Sequence, residues 1–124
     1  MTAAVGDALV GAVQNLLENA RVHAPGARVS LAVTGAESYI SVRIEDDGPG
    51  IAPAIVGRIF ERGITTRDGA IAGTAGLGLH VARRELRACQ GDLRLEHSDA
   101  DGTVFVIEVP RVRAILAAAI GGHA

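Results

Sequence analysis

Tyr39-Ile40-Ser41-Val42-Arg43-Ile44 runs straight into Glu45-Asp46-Asp47-Gly48-Pro49-Gly50-Ile51, and the reading of this stretch decides the fold. Over residues 39–44 apolar and polar side chains alternate, the period of a strand with one wet face. The residues that follow break that period. Gly48 and Gly50 allow close backbone approach and positive φ, and Pro49 fixes the path between them. A half-buried strand therefore ends in a tight turn that carries carboxylates. An Asp set just before such a turn can accept a hydrogen bond from an exocyclic amine such as that of adenine. The plain alternative is an acidic hairpin turn, for which Asp-Gly-Pro-Gly is good chemistry.

Upstream, Arg28 to Val33 also alternates, with Val29, Leu31 and Val33 on one face. Gly35-Ala36-Glu37-Ser38 joins it to residues 39–44, so the two strands form a hairpin. Before them, Ala3 to about Val22 is helical: Leu9, Val13, Leu16 and Ala20 recur at steps of four, three and four. Pro25-Gly26 ends that helix.

Downstream, Pro53 opens a short helix through about Phe60, since proline suits a first helical turn. Glu61 to Ala75 holds Gly63, Thr65, Thr66, Asp68, Gly69, Gly73 and Thr74 without a sustained period. A loop of that length usually has a function. Leu77 to Cys89 is helical again, and Gly91 is expected to cap it. Leu93-Arg94-Leu95 and Thr103 to Val109 alternate as two more strands, turning at Asp99-Ala100-Asp101-Gly102. Hairpin-paired strands with helices between them give an α+β, two-layer sandwich: a mixed, mostly antiparallel sheet with helices on one face.

The chain has 124 residues, enough for one domain with its own core. Residues 1–110 read as that domain and 111–124 as an apolar C-terminal tail able to form a short helix. A formal net charge of −2 advertises no nucleic-acid partner. With no Trp and 2% aromatic residues, base-stacking chemistry is also unsupported. All twelve basic residues are Arg, which a biased genome explains. The single cysteine, Cys89, cannot form an internal disulfide, which fits a reducing cytoplasm. The start, MTAAVGDA, lacks the basic flank and apolar run of a signal peptide. Ala114 to Ile120 is too short to cross a bilayer. The expectation is a soluble cytoplasmic domain with no direct membrane contact, within a parent that is free to be membrane-anchored.

Two further clusters carry chemistry. In the first helix, Asn15 and Asn19 are four residues apart and project from one face, with Glu18 beside them. Two amides and a carboxylate there could hold a hard cation such as Mg²⁺, which prefers oxygen ligands and keeps several waters. They could equally line a solvated face. In Gly73-Thr74-Ala75-Gly76-Leu77-Gly78-Leu79-His80, a glycine-rich loop opens a helix, and the N–H groups of a helix start suit phosphate. Glycine for flexibility alone is the rival reading. It is not a P-loop, because the Gly-Lys-Ser/Thr ending is missing. Nor is it a dinucleotide fingerprint, because no strand leads directly into it.

Taken in order, NLLENA (15–20), DDGPGI (46–51), IFERG (59–63) and GLGLH (76–80), followed by GTVFVIEVP (102–110), resemble the N, G1, F and G2 boxes of the ATP-binding catalytic domains of bacterial sensor histidine kinases. That superfamily also takes in gyrase, the mismatch-repair ATPases and a heat-shock chaperone. The resemblance covers roughly Gly6 to Pro110 and implies the Bergerat fold. It implies ATP and Mg²⁺ as cofactors and a sensor protein kinase activity in two-component signalling. The gamma-phosphate would go to a histidine on a separate dimerisation and phosphotransfer domain, and through it to a response regulator. None of His23, His80, His97 and His123 sits in a phospho-acceptor context. Little turnover is expected from the isolated domain, which is expected to be a monomer or weak dimer.

Carried over by position, Asn19 is the implied Mg²⁺ ligand. Asn15 lies beside the triphosphate, where hydrolysing relatives place a Glu as general base. An amide cannot take a proton from water, which suits transfer to a histidine better than hydrolysis. Asp46 is the implied partner of the adenine amino group, Gly48, Gly50 and Ile51 shape the base pocket, and Thr103 supports it through water. Phe60 anchors the base of a mobile lid, Glu61 to Ala75. Gly76, Leu77, Gly78 and Leu79 form the phosphate-facing helix start.

The departures from the family pattern are specific. Where many members place a Lys three residues past the second Asn, and a Tyr next to it, this chain has Val22 and His23. His23 is a candidate nucleotide contact, or simply a helix C-terminal residue matched to the dipole. Arg21, Arg62 or Arg67 must replace the missing cation. Arg67 is preferred, because Ile64-Thr65-Thr66-Arg67 is similar to the Ser-Thr-Lys lid stretch of kinases that sense carboxylates. Thr66 then joins the phosphate contacts, and Arg67 the catalytic set with Asn15 and Asn19. In the last box Thr74 and Ala75 replace a Gly and a hydroxyl residue, which stiffens the lid and loses one phosphate contact. The strand that usually precedes the first helix is absent, so an exposed sheet edge is expected, covered by the C-terminal tail or by another copy. Two alternatives keep the fold: an anti-sigma-factor-type serine kinase, and a degenerate nucleotide-binding regulatory domain without kinase turnover.

Overall fold

The computed structural model describes residues 2–61 and 78–111. Helix α1 (Thr2–His23) leads into the hairpin β1 (Val29–Gly35) and β2 (Tyr39–Asp46). A short 3-10 turn at Val56–Arg58 follows, then α2 (Gly78–Ala88), β3 (Asp92–Asp99) and β4 (Gly102–Pro110). The sheet order is β1-β2-β4-β3, with every neighbouring pair antiparallel. The expected α+β sandwich is present, with strands one to five residues longer than their alternating cores.

Register places the core on one face. Ile44 lies opposite Phe105, Val42 opposite Ile107, and Ile107 opposite Leu93. Onto this face α1 lays Val5, Ala8, Ala12, Leu16 and Ala20, and α2 lays Leu79, Ala82 and Leu86, all buried. The buried Ala8, Ala12 and Ala20 are small enough to let the axis of α1 lie close to the strands. Leu86, Leu93 and Ile107 are fully enclosed at 0% exposure, and each contributes about 1.5–3 kcal/mol of burial. On the opposite face Val104 and Val106 are also buried. Arg43 and Arg94 flank Val106 in the register and pair with Glu96 and Glu108, so their aliphatic stems cover it.

Two local expectations are corrected. The helix expected from Pro53 to Phe60 is a turn followed by the 3-10 segment. The segment is held by the burial of Ile55 and Ile59. A run this short, with Gly57 at its centre, cannot offset the cost of nucleating an α-helix. The left-handed residue at the end of α2 is Gln90, at φ 68°, rather than Gly91. Gln90 N–H donates to the Arg87 carbonyl at 3.1 Å and Gly91 N–H to the Leu86 carbonyl at 2.8 Å. This is the Schellman pattern with Gly91 one position later than expected.

Salt bridges tie α2 to the sheet: Arg87 reaches Asp92 at 2.9 Å and Arg83 reaches it at 3.4 Å. Partial burial works to raise the Asp92 carboxyl, but Arg87, the Leu93 N–H and Arg83 together hold it below the usual range. The expected lid residues and the C-terminal tail beyond Arg111 lie outside the described residues.

Candidate functional site

The turn after β2 separates two adjacent carboxylates. Asp47 is exposed, and its Oδ1 accepts the Arg28 N–H at 2.6 Å, closing the base of the hairpin. Asp46 is half-buried, and its Oδ1 accepts the Gly48 N–H at 2.9 Å. The turn is then pressed against the β3–β4 hairpin. Gly50 sits at φ +83°, and a Cβ there would collide with the Asp99 carbonyl. Ile51 N–H donates to Ser98 Oγ at 2.8 Å, and Ser98 Oγ bonds Thr103 Oγ1 at 3.0 Å. Ser98 escaped the sequence reading because its one signal, facing Thr103 across the hairpin, exists only once the register is known.

Between this turn and the last two turns of α1 lies a cleft. Ala20, Ile44, Ile51 and Phe105 make its apolar walls, and Asn19, His23, Asp46 and Thr103 bring polar atoms to it. Its enclosed part is about 40 Å³, room for a water or two. A base would lie across the mouth and reach Asp46 at the bottom. Of the expected pocket residues, Asn19, His23, Asp46, Gly50, Ile51 and Thr103 converge here, and Gly48 holds the Asp46 carboxylate from the side.

Asn15 sits one turn before Asn19 at the other end of the site. Its Nδ2 donates to the Gly11 carbonyl at 3.0 Å. Its Oδ1 lies 2.5 Å from where a Cβ on Gly78 would stand. A side chain at 78 would push the Asn15 amide aside, so glycine there lets that amide stand against the start of the helix. The paired amides thus run from the cleft to the start of α2, whose first-turn N–H groups suit an anion. Leu79 is buried in the core, so only its backbone could meet a ligand. Arg62, Thr66, Arg67, Gly76 and Leu77 lie outside the described residues.

Phe60 stacks edge-on against Phe105, with centroids 6.4 Å apart at 88°, and the Arg83 guanidinium lies 4.3 Å over its ring. Its carbonyl is 3.3 Å from His80 Nδ1. The expected packing role fits these contacts. Among the described residues no group of three or more His, Cys, Asp or Glu could hold a metal ion. The cation donors on offer are the amide oxygens of Asn15 and Asn19. A magnesium ion that takes one protein oxygen, with phosphates and waters for the rest, fits such a sparse set.

A four-stranded antiparallel sheet under two helices, with its cleft between a strand-end Asp and an Asn-bearing helix, defines the class of ATP-binding α+β sandwiches. Residues 4–113 match the family described as histidine kinase-, DNA gyrase B- and HSP90-like ATPases, and the chain belongs to that family. It is similar to the sensor protein kinase CarS of Pseudomonas aeruginosa, 41% identical over 77% of this chain and 21% of the relative. It is also similar to the sensor histidine kinase DcuS of Escherichia coli, 28% identical over 82% of this chain and 19% of the relative. Among solved structures, a mycobacterial sensor histidine kinase, MprB, superposes with a TM-score of 0.67 at 30% identity. That match covers 84% of this chain and 72% of that one. Full-length ShkA in complex with AMPPNP gives 0.69 at 30% identity, over 83% of this chain and 21% of that one. The chain thus spans about a fifth of the length of the curated relatives it matches. It is an ATP-binding domain of the sensor histidine kinase type.

Proposed function

We propose that this domain binds MgATP across the cleft and donates the gamma-phosphate to a histidine on a separate dimerisation and phosphotransfer domain, which passes it to a response regulator. The observation that carries the reading is the half-buried Asp46 in the cleft beside the apolar Ala20, Ile44, Ile51 and Phe105. Asn19 lines that cleft, and Asn15, one helical turn before it, stands against the start of α2 at Gly78. The AMPPNP complex of ShkA, an ATP analogue on a similar fold, supports it.

In this mechanism Asp46 accepts a hydrogen bond from the adenine amino group, and Ile44 and Ile51 flank the ring. The 40 Å³ recess between Asp46 and Thr103 has room for a water linking them to the base. Asn19 contributes its amide oxygen to Mg²⁺, which would neutralise phosphate charge. Asn15 positions the triphosphate against the start of α2 without acting as a base. Arg67, with Thr66 and Arg62 near it in sequence, supplies the cation that Val22 does not. Catalysis is then positioning and charge stabilisation. No helix among the described residues is long and apolar enough to cross a membrane. We place the domain in the cytoplasm, within a parent whose sensor region can be membrane-anchored. Residues 1–110 form the ATP-binding unit and 111–124 a separate tail.

The Val22 replacement favours one second reading, a nucleotide-binding regulatory domain without turnover. Calorimetry with ATP and ADP, with and without Mg²⁺, tests the shared premise: binding is expected, with Mg²⁺ favouring ATP. No binding at millimolar nucleotide would remove both readings. Label from gamma-labelled ATP should then appear on the acceptor domain as an acid-labile, base-stable phosphohistidine. Binding without such transfer leaves the regulatory reading, and an acid-stable product would point to a serine kinase.

A further inference from the structure

Strand β3 carries a bulge that re-aims a residue beside the cleft. Leu95 lies opposite Phe105 on the core face, but the next pair is His97 opposite Val104, so Glu96 is the extra residue. Side chains of a strand alternate between its faces. An unbroken β3 would therefore put His97 on the core face with Leu95, and Ser98 on the outer one. The bulge reverses that order: His97 joins Val104 on the outer face, and Ser98 joins Thr103 on the face of the cleft. A bulge interrupts the ladder, and re-aiming a side chain beside a site is a recurrent use of one.

Thr103 lines the cleft, and Ser98 stands behind it. Ser98 Oγ accepts the Ile51 N–H at 2.8 Å and lies 3.0 Å from Thr103 Oγ1. A hydroxyl has one hydrogen to give. For Ser98 the acceptor within reach among the described residues is Thr103 Oγ1, so Ser98 donates and Thr103 accepts. The Thr103 hydrogen then points away from Ser98. Thr103 is 5% exposed, and a donor so enclosed needs an acceptor. The recess that it shares with Asp46 is where one can be met.

Granted the MgATP reading of the site, we propose that Ser98 is a positioning residue. It fixes the Thr103 hydroxyl as a donor into the recess, and so makes the sheet side of the cleft select adenine. With Asp46 as acceptor and Thr103 as donor, that wall offers one of each. The adenine edge is the complement, an amino donor beside the ring acceptor N1, whereas guanine has a carbonyl oxygen beside N1–H. A water between wall and base obeys the same rule. The recess of about 40 Å³ has room for one. Its two hydrogens go to N1 and to Asp46, so Thr103 must donate to it. Were Thr103 to donate to Ser98 instead, the wall would offer acceptors alone and N1 would lose its donor.

Calorimetry on the whole chain with ATP and with 1-deaza-ATP, which has a C–H in place of N1, tests this. Wild type should bind the analogue about fivefold more weakly, the weight of one neutral hydrogen bond. In Ser98→Ala the gap should shrink below about twofold, because the Thr103 hydrogen is no longer held in the recess. Ser98→Cys, close in shape but a weak donor, should behave likewise, and Ser98→Thr, which keeps the hydroxyl, should restore the gap. Thr103→Val should close the gap by itself, and adding Ser98→Ala to it should change the gap no further. If Ser98 does no more than brace the turn at Ile51, Ser98→Ala weakens both nucleotides equally and the gap stays. That result overturns the proposal, as does a wild type that binds both nucleotides equally. A wild type that binds no ATP overturns the MgATP reading itself, and this proposal with it.

Discussion

Asp46 and Asp47 share a turn but not an environment. Asp47 uses its carboxylate on the Arg28 N–H at 2.6 Å, outside the cleft. Asp46 gives one oxygen to the Gly48 N–H and keeps the other without a hydrogen bond among the described residues. A half-buried acceptor in a cleft with apolar walls at Ile44, Ile51 and Phe105 is placed to take an amine donor. Asp46→Asn should therefore weaken ATP and ADP binding alike by about 1–3 kcal/mol, the scale of a hydrogen bond to a charged group. Asn can still accept from Gly48, so the turn should persist. Asp47→Asn should leave affinity unchanged, and calorimetry on both variants checks the assignment. The sequence had marked this acidic pair, and the position match had favoured Asp46. What separates the two physically is which one the Arg28 backbone engages across the hairpin, and that is a tertiary fact.

At the level of elements, the end of α2 shows how packing overrides a local preference. Glycine is favoured in the left-handed position after a helix, which pointed to Gly91. The structure puts Gln90 there, at φ 68°. Gly91 is needed one step later, because a Cβ on it would collide with the Glu108 carbonyl of β4. Close approach to the sheet decided the placement, and Gln90 bears a conformational cost as a result. Gln90→Gly should raise stability by about 0.5–1 kcal/mol, read as a higher thermal midpoint with nucleotide affinity unchanged. A lower midpoint would mean that the Gln90 side chain makes a compensating contact. The segment after Pro53 shows the same logic. Its proline signalled a helix start, but buried Ile55 and Ile59 hold it as a tight turn against the core.

Across the whole molecule, β4 is the element on which everything else rests. It lies between β2 and β3, and its Phe105, Ile107 and Val109 belong to the core cluster. Ile107 is 0% exposed and faces Val42 on one side and Leu93 on the other. Ile107→Ala should cost about 2–5 kcal/mol in urea unfolding, a large fraction of the stability of a domain this size. A loss under about 1 kcal/mol would show that the layers close around the cavity.

The sequence alone determined the α+β class, the two hairpins, both principal helices and the four ordered boxes. Strand and helix periods are local, and the box residues sit on turns and helix starts whose chemistry is also local. Only the tertiary structure showed that Asn15 meets Gly78 and that Ser98 and Thr103 brace the turn at Ile51. Each of those depends on register and on how closely two elements approach. Such distances follow from the packing of the whole core, and no window of the sequence contains them.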